Sequence, residues 1–263
     1  MLQALIFDVD GTLADTERWG HRVAFNRAFA EAGLNWHWDE EIYGRLLAVT
    51  GGRERMRYFL ELCRPDVPAG DLDGLIEDLQ GLKTRHYHEL VEQGGIPARP
   101  GILRLLQEGQ AEGLRLAIAT TTTPANVEVL LKHSFAADAL DWFEVIGAGD
   151  AVSRKKPAPD IYLHVLRALG LPPEACLALE DSEVGLAAAS AAGIPTVISY
   201  NDYTAEQDFS GALLVCDRLS EPGEPPRRLQ SISPRQNPSP VDLATLCALH
   251  ALWMTNTRTT VTV

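Results

Sequence analysis

Two carboxylates separated by a single residue, Asp8 and Asp10, follow the apolar run at 2–7 and precede Gly11 and Thr12. In an extended segment, residues two apart project the same way, so this pair can flank one reacting atom. Like charges this close repel, and a divalent cation relieves them. One carboxylate can then attack while the other moves a proton. Three further polar clusters follow the same pattern: Thr120-Thr121-Thr122-Thr123, Lys156-Pro157-Ala158-Pro159-Asp160 and Glu180-Asp181-Ser182. Hydroxyls and backbone amides at a helix entrance suit an anion, a lysine supplies positive charge, and adjacent acids suit a hard cation. Each also has a structural alternative. Thr123 before Pro124 has the pattern of a helix N-cap, Asp181 or Ser182 can cap a helix starting at Glu183, and Lys156 can belong to a solvated basic loop with Arg154 and Lys155.

The elements that would position these groups are legible from hydrophobic patterning. Apolar runs at 2–7, 114–119, 143–146, 176–179 and 196–198 are short and bounded by polar residues or glycine, as strands buried on both faces should be. Helical periodicity fills most of the gaps from about 98 to 200, which predicts an α/β fold with a doubly wound parallel sheet and a site at the carboxyl ends of its strands. Residues 16–95 differ. They offer three helical stretches, 19–32, 54–63 and 72–91, and predict an α-helical insert after the first strand. The expected organisation is a core of 1–15 and 96–220, a helical domain of 16–95, and an extension of 221–263. Six prolines fall between 221 and 240 and threonines dominate 255–263, so the extension is expected to wander, apart from one amphipathic helix at 241–254. Its arginines, Arg227, Arg228, Arg235 and Arg258, suit electrostatic docking on an acidic body.

Bulk properties narrow the function. The 263 residues are 46% hydrophobic and 22% charged, a globular composition, and the net charge of −13 argues against a nucleic-acid partner. Cys63, Cys176, Cys216 and Cys247 are scattered, without metal-binding or redox spacing. The first apolar run meets Asp8 too soon for a signal peptide or membrane span, so a cytoplasmic monomer without membrane contact is expected.

With all four clusters in view, Asp8-Val9-Asp10-Gly11-Thr12 resembles the first motif of the haloacid dehalogenase superfamily. Thr120 at the end of Arg115-Leu116-Ala117-Ile118-Ala119 fits its second, the Lys156 segment its third, and Glu180-Asp181-Ser182 its fourth. The resemblance implies a Rossmann-like core with an inserted helical cap. It further implies that Asp8 attacks phosphorus, that Asp10 serves as general acid and then base, and that Mg²⁺ is held by Asp8, Asp10 through its backbone carbonyl, Asp181 and Glu180. Thr120, Thr121 and Lys156 would bind the transferring phosphoryl group. Pressed by the charge of Asp8, Asp10 is expected to be the carboxyl that holds a proton.

The insert resembles the cap of the β-phosphoglucomutase-like branch. Asp15-Thr16-Glu17-Arg18 with Leu46-Leu47-Ala48-Val49-Thr50-Gly51-Gly52-Arg53-Glu54-Arg55 looks like the CbbY-type phosphatases that remove the 1-phosphate of xylulose 1,5-bisphosphate. That likeness makes Glu17, Tyr43, Gly51, Gly52 and Arg53 candidates for reading a small phosphorylated sugar, Arg53 for a distal phosphate. Family members commonly carry lysine where Arg53 stands. His21 and Arg55 are polar cap features of the same kind, and His21, Tyr43 and Arg55 each have a structural alternative: an ordinary helix residue, a packing residue and an exposed charge. The alternatives are a phosphomutase of the same branch, a phosphatase of another small ester, and a non-catalytic phospho-acceptor module.

Overall fold

Alternation within β1 (Ala4–Phe7) explains the layers of the core. Leu5 and Phe7 enter one apolar cluster, while Ala4 and Ile6 enter another on the opposite face of the sheet. A computed structural model of the chain describes residues 1–221, 224, 226, 229–231 and 241–260. All five apolar runs form strands: β1, β2 (Arg115–Ala119), β3 (Val145–Gly147), β4 (Cys176–Glu180) and β5 (Thr196–Ser199). Two more, β6 (Leu214–Cys216) and β7 (Leu229–Ser231), complete a sheet ordered β3-β2-β1-β4-β5-β6-β7. The first six run parallel and β7 is antiparallel to β6. β6 and β7, three residues each and outside the five apolar runs, were not expected.

The chain leaves β1 for β2 on one side and later returns to β4 on the other, so β1 lies at the switch point of the sheet. Phe7 pairs with Ile118 and with Leu179. One residue further on, Asp8 and Glu180 therefore reach the same sheet edge, with Thr120 just beyond β2. Alanines at 117, 119, 178, 188 and 189 thin the second cluster, where Ile161, Tyr162 and Val165 of the helix Asp160–Leu169 pack.

Between β1 and the core helix α5 stand α1 (Arg22–Glu31), α2 (Glu40–Leu46), α3 (Gly52–Cys63) and α4 (Leu72–Glu92); α5 itself is Ile102–Ala111. A π-helical turn, Glu17–His21, precedes α1. These helices have their own core, in which Phe25, Phe29, Trp38, Tyr43, Met56 and Leu79 are buried. Helix α2 adds to the three expected. It has only seven residues, and its start is set locally by the Asp39 carboxylate accepting from the Ile42 amide at 2.8 Å. The linkers to the core meet where Ala14 bridges Ala98 and the Arg99 amide donates to the Leu13 carbonyl.

The remaining helices are α6 (Pro124–Ser134), α7 (Asp160–Leu169), α8 (Glu183–Ala191) and α9 (Leu243–Thr260). The extension departs from expectation in two places. Residues 229–231 pair with β6, and α9 runs past 254 to 260, with Thr255 and Thr257 donating to the carbonyls of Ala251 and Trp253 one turn back. Val241, Leu243, Leu246 and Leu249 are buried against the core. Arg104 of α5 donates to the Ser220 and Val241 carbonyls, and Glu108 accepts from the Leu243 amide. Arg227, Arg228, Arg235 and the Arg258 side chain lie outside the described residues. Among the described residues no helix is long and apolar enough to cross a membrane.

Since Leu246 is fully buried and far along the chain from the polar clusters, Leu246→Ala is expected to cost about 2–4 kcal/mol of unfolding free energy, measured in urea, with the catalytic rate retained.

Candidate active site

Asp8, Lys156 and Glu180 are buried at the carboxyl end of the sheet. The Lys156 ammonium donates to Asp8 Oδ1 at 2.7 Å and to Glu180 Oε1 at 2.6 Å. Tyr162 of α7 donates to the same Glu180 oxygen at 2.5 Å, and Lys156 lies 5.2 Å above its ring. Burial pushes the Asp8 carboxyl up to about 7: the charge of Lys156 opposes this and that of Glu180 adds to it. The pKa of Lys156 rises, because Asp8 and Glu180 outweigh its burial. Asp181 is raised well above the carboxylate range by burial and then by the charges of Asp8 and Glu180. Gly11, at φ +87°, lets the β1 turn approach: a Cβ there would stand 2.2 Å from Asp181 Oδ2.

Asp10 belongs to a second network. Its Oδ1 accepts from the Thr16 hydroxyl at 2.7 Å and lies 3.0 Å from His21 Nε2, and Lys83 of α4 reaches His21 Nδ1 at 3.0 Å. Because Lys83 can only donate, Nδ1 accepts and Nε2–H donates to Asp10. Burial would raise the Asp10 carboxyl, yet His21, the Thr16 hydroxyl and Lys83 together hold it well below the usual range. Burial lowers Lys83 to about 8 against the charges of Asp10 and Glu17. In the metal-free site the two motif carboxyls are therefore pushed apart, Asp8 up by burial and Asp10 down by its donors. His21 is not an ordinary helix residue; it links Asp10 to the cap.

A cavity of about 210 Å³ joins these networks to the helical domain. Thr120, Thr121, Glu17, Gly51, Gly52, Arg53 and Arg55 line it with the carboxylates. Thr120 is buried, and its hydroxyl accepts from the Thr122 amide at 3.3 Å, while Thr123 caps α6 by accepting from the Asn126 amide. Tyr43 is absent from this lining. Its ring is fully buried and its hydroxyl donates to Glu17, so it holds a cavity residue instead of facing the cavity. Arg55 is buried, not exposed. It donates to the Tyr43 hydroxyl at 2.7 Å and to Glu17 at 3.3 Å. Arg53, expected to meet a distal phosphate, is exposed and forms a two-pronged bond to Glu77 at 2.6 and 2.7 Å. Gly51 (φ +101°) opens α3, and a Cβ on Gly52 would strike Gln80 at 2.2 Å.

Lys83, Tyr162, Arg99 and Asn201 were not singled out. Lys83 did leave a trace, because it continues the buried stripe Ile76, Leu79, Tyr87 and Val91 of α4. Arg99, also buried, donates to the carbonyls of Gly11, Tyr200 and Asp217 and to the Ser199 hydroxyl, joining the β1 turn to the ends of β5 and β6.

The donor set fits a hard divalent cation. One oxygen each of Asp8, Glu180 and Asp181 can be chosen so that all lie within 4.8 Å of one another, and all three residues are buried. Among the described residues a single bonded ammonium, Lys156, faces two of these three acids, which leaves negative charge for a cation to offset.

A model of the haloacid dehalogenase-like hydrolases matches residues 2–193. The plasmid protein CbbY of Cupriavidus necator is 50% identical over 251 residues, which cover 95% of this chain and 97% of that one. The crystal structure of CbbY from Rhodobacter sphaeroides with phosphate is 46% identical and superposes with a TM-score of 0.78 over 85% of this chain and 97% of that one. A mutant of the same protein, in complex with xylulose-(1,5)bisphosphate, also has a TM-score of 0.78, with 45% identity over the same shares. The chain therefore belongs to the haloacid dehalogenase-like hydrolases.

Proposed function

We propose that this phosphoric monoester hydrolase acts on xylulose 1,5-bisphosphate, releasing xylulose 5-phosphate and inorganic phosphate through a phosphoryl-aspartate on Asp8. One observation carries the reading: a single cavity joins the buried Asp8–Lys156 pair to Glu17 and Arg55 of the helical domain, with Asp10 tied to that domain through His21. The sugar bisphosphate bound by the Rhodobacter sphaeroides relative supports the choice of substrate.

In the first step an oxygen of Asp8 forms a bond to phosphorus, the ester bond breaks, and the sugar oxygen leaves with a proton from Asp10. A phosphate dianion arriving beside Asp10 raises the proton affinity of that carboxyl, which lets an acid held low in the free site carry the proton. In the second step Asp10 takes a proton from water, the water oxygen bonds to phosphorus, and Asp8 is released. Lys156 and the Thr120 hydroxyl hold the phosphoryl oxygens as their charge grows. Bound Mg²⁺, held by Asp8, Glu180, Asp181 and the Asp10 carbonyl, would supply further positive charge to those oxygens. Glu17, braced by Tyr43 and Arg55, is placed to accept from sugar hydroxyls.

A phosphate-release screen against sugar mono- and bisphosphates, with and without Mg²⁺, is expected to favour xylulose 1,5-bisphosphate with the cation; a stronger rate on a monophosphate would remove this assignment. In single turnover, label on Asp8 should appear as inorganic phosphate, whereas label on a sugar would identify a mutase. Asp10→Asn is expected to slow hydrolysis by about 10²- to 10⁴-fold while a cooperative thermal transition remains, and unchanged turnover would take Asp10 out of proton transfer. Protons compete with the cation for Asp8, whose carboxyl is pushed up to about 7. Its folded-state pKa lies above the unfolded value, so metal-free stability from this group declines as pH rises toward about 7. Mg²⁺ affinity moves the other way, and calorimetric titration should find it about tenfold tighter near pH 8 than near pH 6.

A further inference from the structure

The turn after β5 touches both the carboxylate cluster and the helical domain. Asn201 Nδ2 donates to Asp181 Oδ2 at 2.7 Å, and its Oδ1 accepts from the Tyr203 amide at 2.9 Å. With its oxygen facing a backbone N–H, the amide presents its nitrogen to Asp181 and has no alternative flip. The backbone is closed on itself as well: the Asn201 amide donates to the Thr204 hydroxyl at 3.0 Å, and its carbonyl accepts from the Thr204 amide at 3.1 Å. Among the described residues, Asn201 is the one hydrogen-bond donor to the Asp181 carboxylate.

The next two side chains face the other domain. Asp202 pairs with Arg18 of the π-helical turn at 2.8 Å. The Tyr203 ring meets the Tyr43 ring edge-on at 5.8 Å, lies 5.6 Å beneath the Arg18 guanidinium, and approaches α2 so closely that a Cβ on Gly44 would stand 3.2 Å from it. Tyr43 is the residue that braces Glu17. Three consecutive residues thus run from one acid of the cluster to the helix that supports the sugar-facing wall.

We propose that Asn201 is a positioning residue that fixes the Asp181 carboxylate for the cation, and that its turn ties this carboxylate to the docked position of the helical domain through Asp202 and Tyr203. This rests on the reading of Asp8, Glu180 and Asp181 as the cation site. A cation that stiffens Asp181 stiffens the turn, and the turn then holds Arg18 and α2. By linkage, docking of α2 tightens the cation in return.

The test uses the full chain without substrate. Calorimetry should show Mg²⁺ binding to Asn201→Ala about tenfold more weakly than to the wild type. Amide exchange in α2 should slow when the wild type binds Mg²⁺ and should not slow in Asn201→Ala at saturating Mg²⁺. Asn201→Ser serves with the same readouts where the alanine variant fails to unfold cooperatively. Wild type without Mg²⁺ binding would overturn the cation site and this inference together. Wild-type binding with unchanged affinity in the variant would overturn the role of Asn201 alone, and equal protection of α2 in both proteins would overturn the tie to the helical domain.

Discussion

Concentrating carboxylates at the end of a central parallel strand is the constraint on which the rest of this molecule depends. Each buried ion costs several kcal/mol unless it is paired, and here one oxygen each of Asp8, Glu180 and Asp181 lies within 4.8 Å of the others. The surroundings answer that cost from several sides. Lys156 bonds two of the acids, Tyr162 adds a donor to Glu180, Asn201 adds one to Asp181, and the Arg99 guanidinium gathers the carbonyls of Gly11, Tyr200 and Asp217 beyond β1, β5 and β6. None of these groups sits on the same element as the acid it supports. The sheet must therefore be assembled in register before the cluster becomes tolerable, which couples the chemistry to the fold.

The same constraint divides the two motif aspartates. Asp8 and Asp10 are two residues apart, yet their environments push them in opposite directions, Asp8 up to about 7 and Asp10 well below the usual range. Sequence proximity predicts mutual repulsion and stops there. The outcome depends on Thr16, His21 and Lys83, all of the helical domain, which supply Asp10 with donors that Asp8 lacks. An acid whose partners come from the cap is an acid whose proton affinity responds to the cap. Turnover in the proposed reaction thus becomes sensitive to how that domain sits, without any cap residue touching phosphorus.

What could be read along the chain and what could not follows from this arrangement. Asp8, Asp10, Thr120, Glu180 and Asp181 were legible because each lies at or just past a strand end, a boundary that leaves local signals, whereas Lys156, in the loop between β3 and α7, stood out through its likeness to the family's third motif. The doubly wound core was legible from the same boundaries. Lys83, Arg55, Arg99, Tyr162 and Asn201 owe their places to partners far away in sequence, 62 residues away for the Lys83–His21 contact. By composition alone a lysine in a helix is a solvated charge, and only its place in an apolar stripe says otherwise. Tyr43 shows the converse. Its residue type suited sugar recognition, but its full burial turns it into a brace. Helix α9 was visible as a leucine pattern, whereas its docking depended on Arg104 and Glu108 of α5, which no periodicity in 241–254 reveals.

In the proposed reaction, selectivity for the sugar bisphosphate arises where the cavity leaves the carboxylates. Its wall there is braced by a buried charge network: Arg55 bonds Tyr43 and Glu17, and Tyr43 bonds Glu17 in turn. A carboxylate held by two donors offers its remaining lone pairs in fixed directions, so it discriminates among hydroxyls by position and not merely by presence. Arg53 is differently placed, exposed and forked onto Glu77. For it to meet a second phosphate, that exposed ion pair must exchange partners, which costs little at a solvated surface. The rigid acid would thus fix the sugar and the exchangeable guanidinium the distal charge, so that recognition of hydroxyls and of phosphate rests on separate physical grounds.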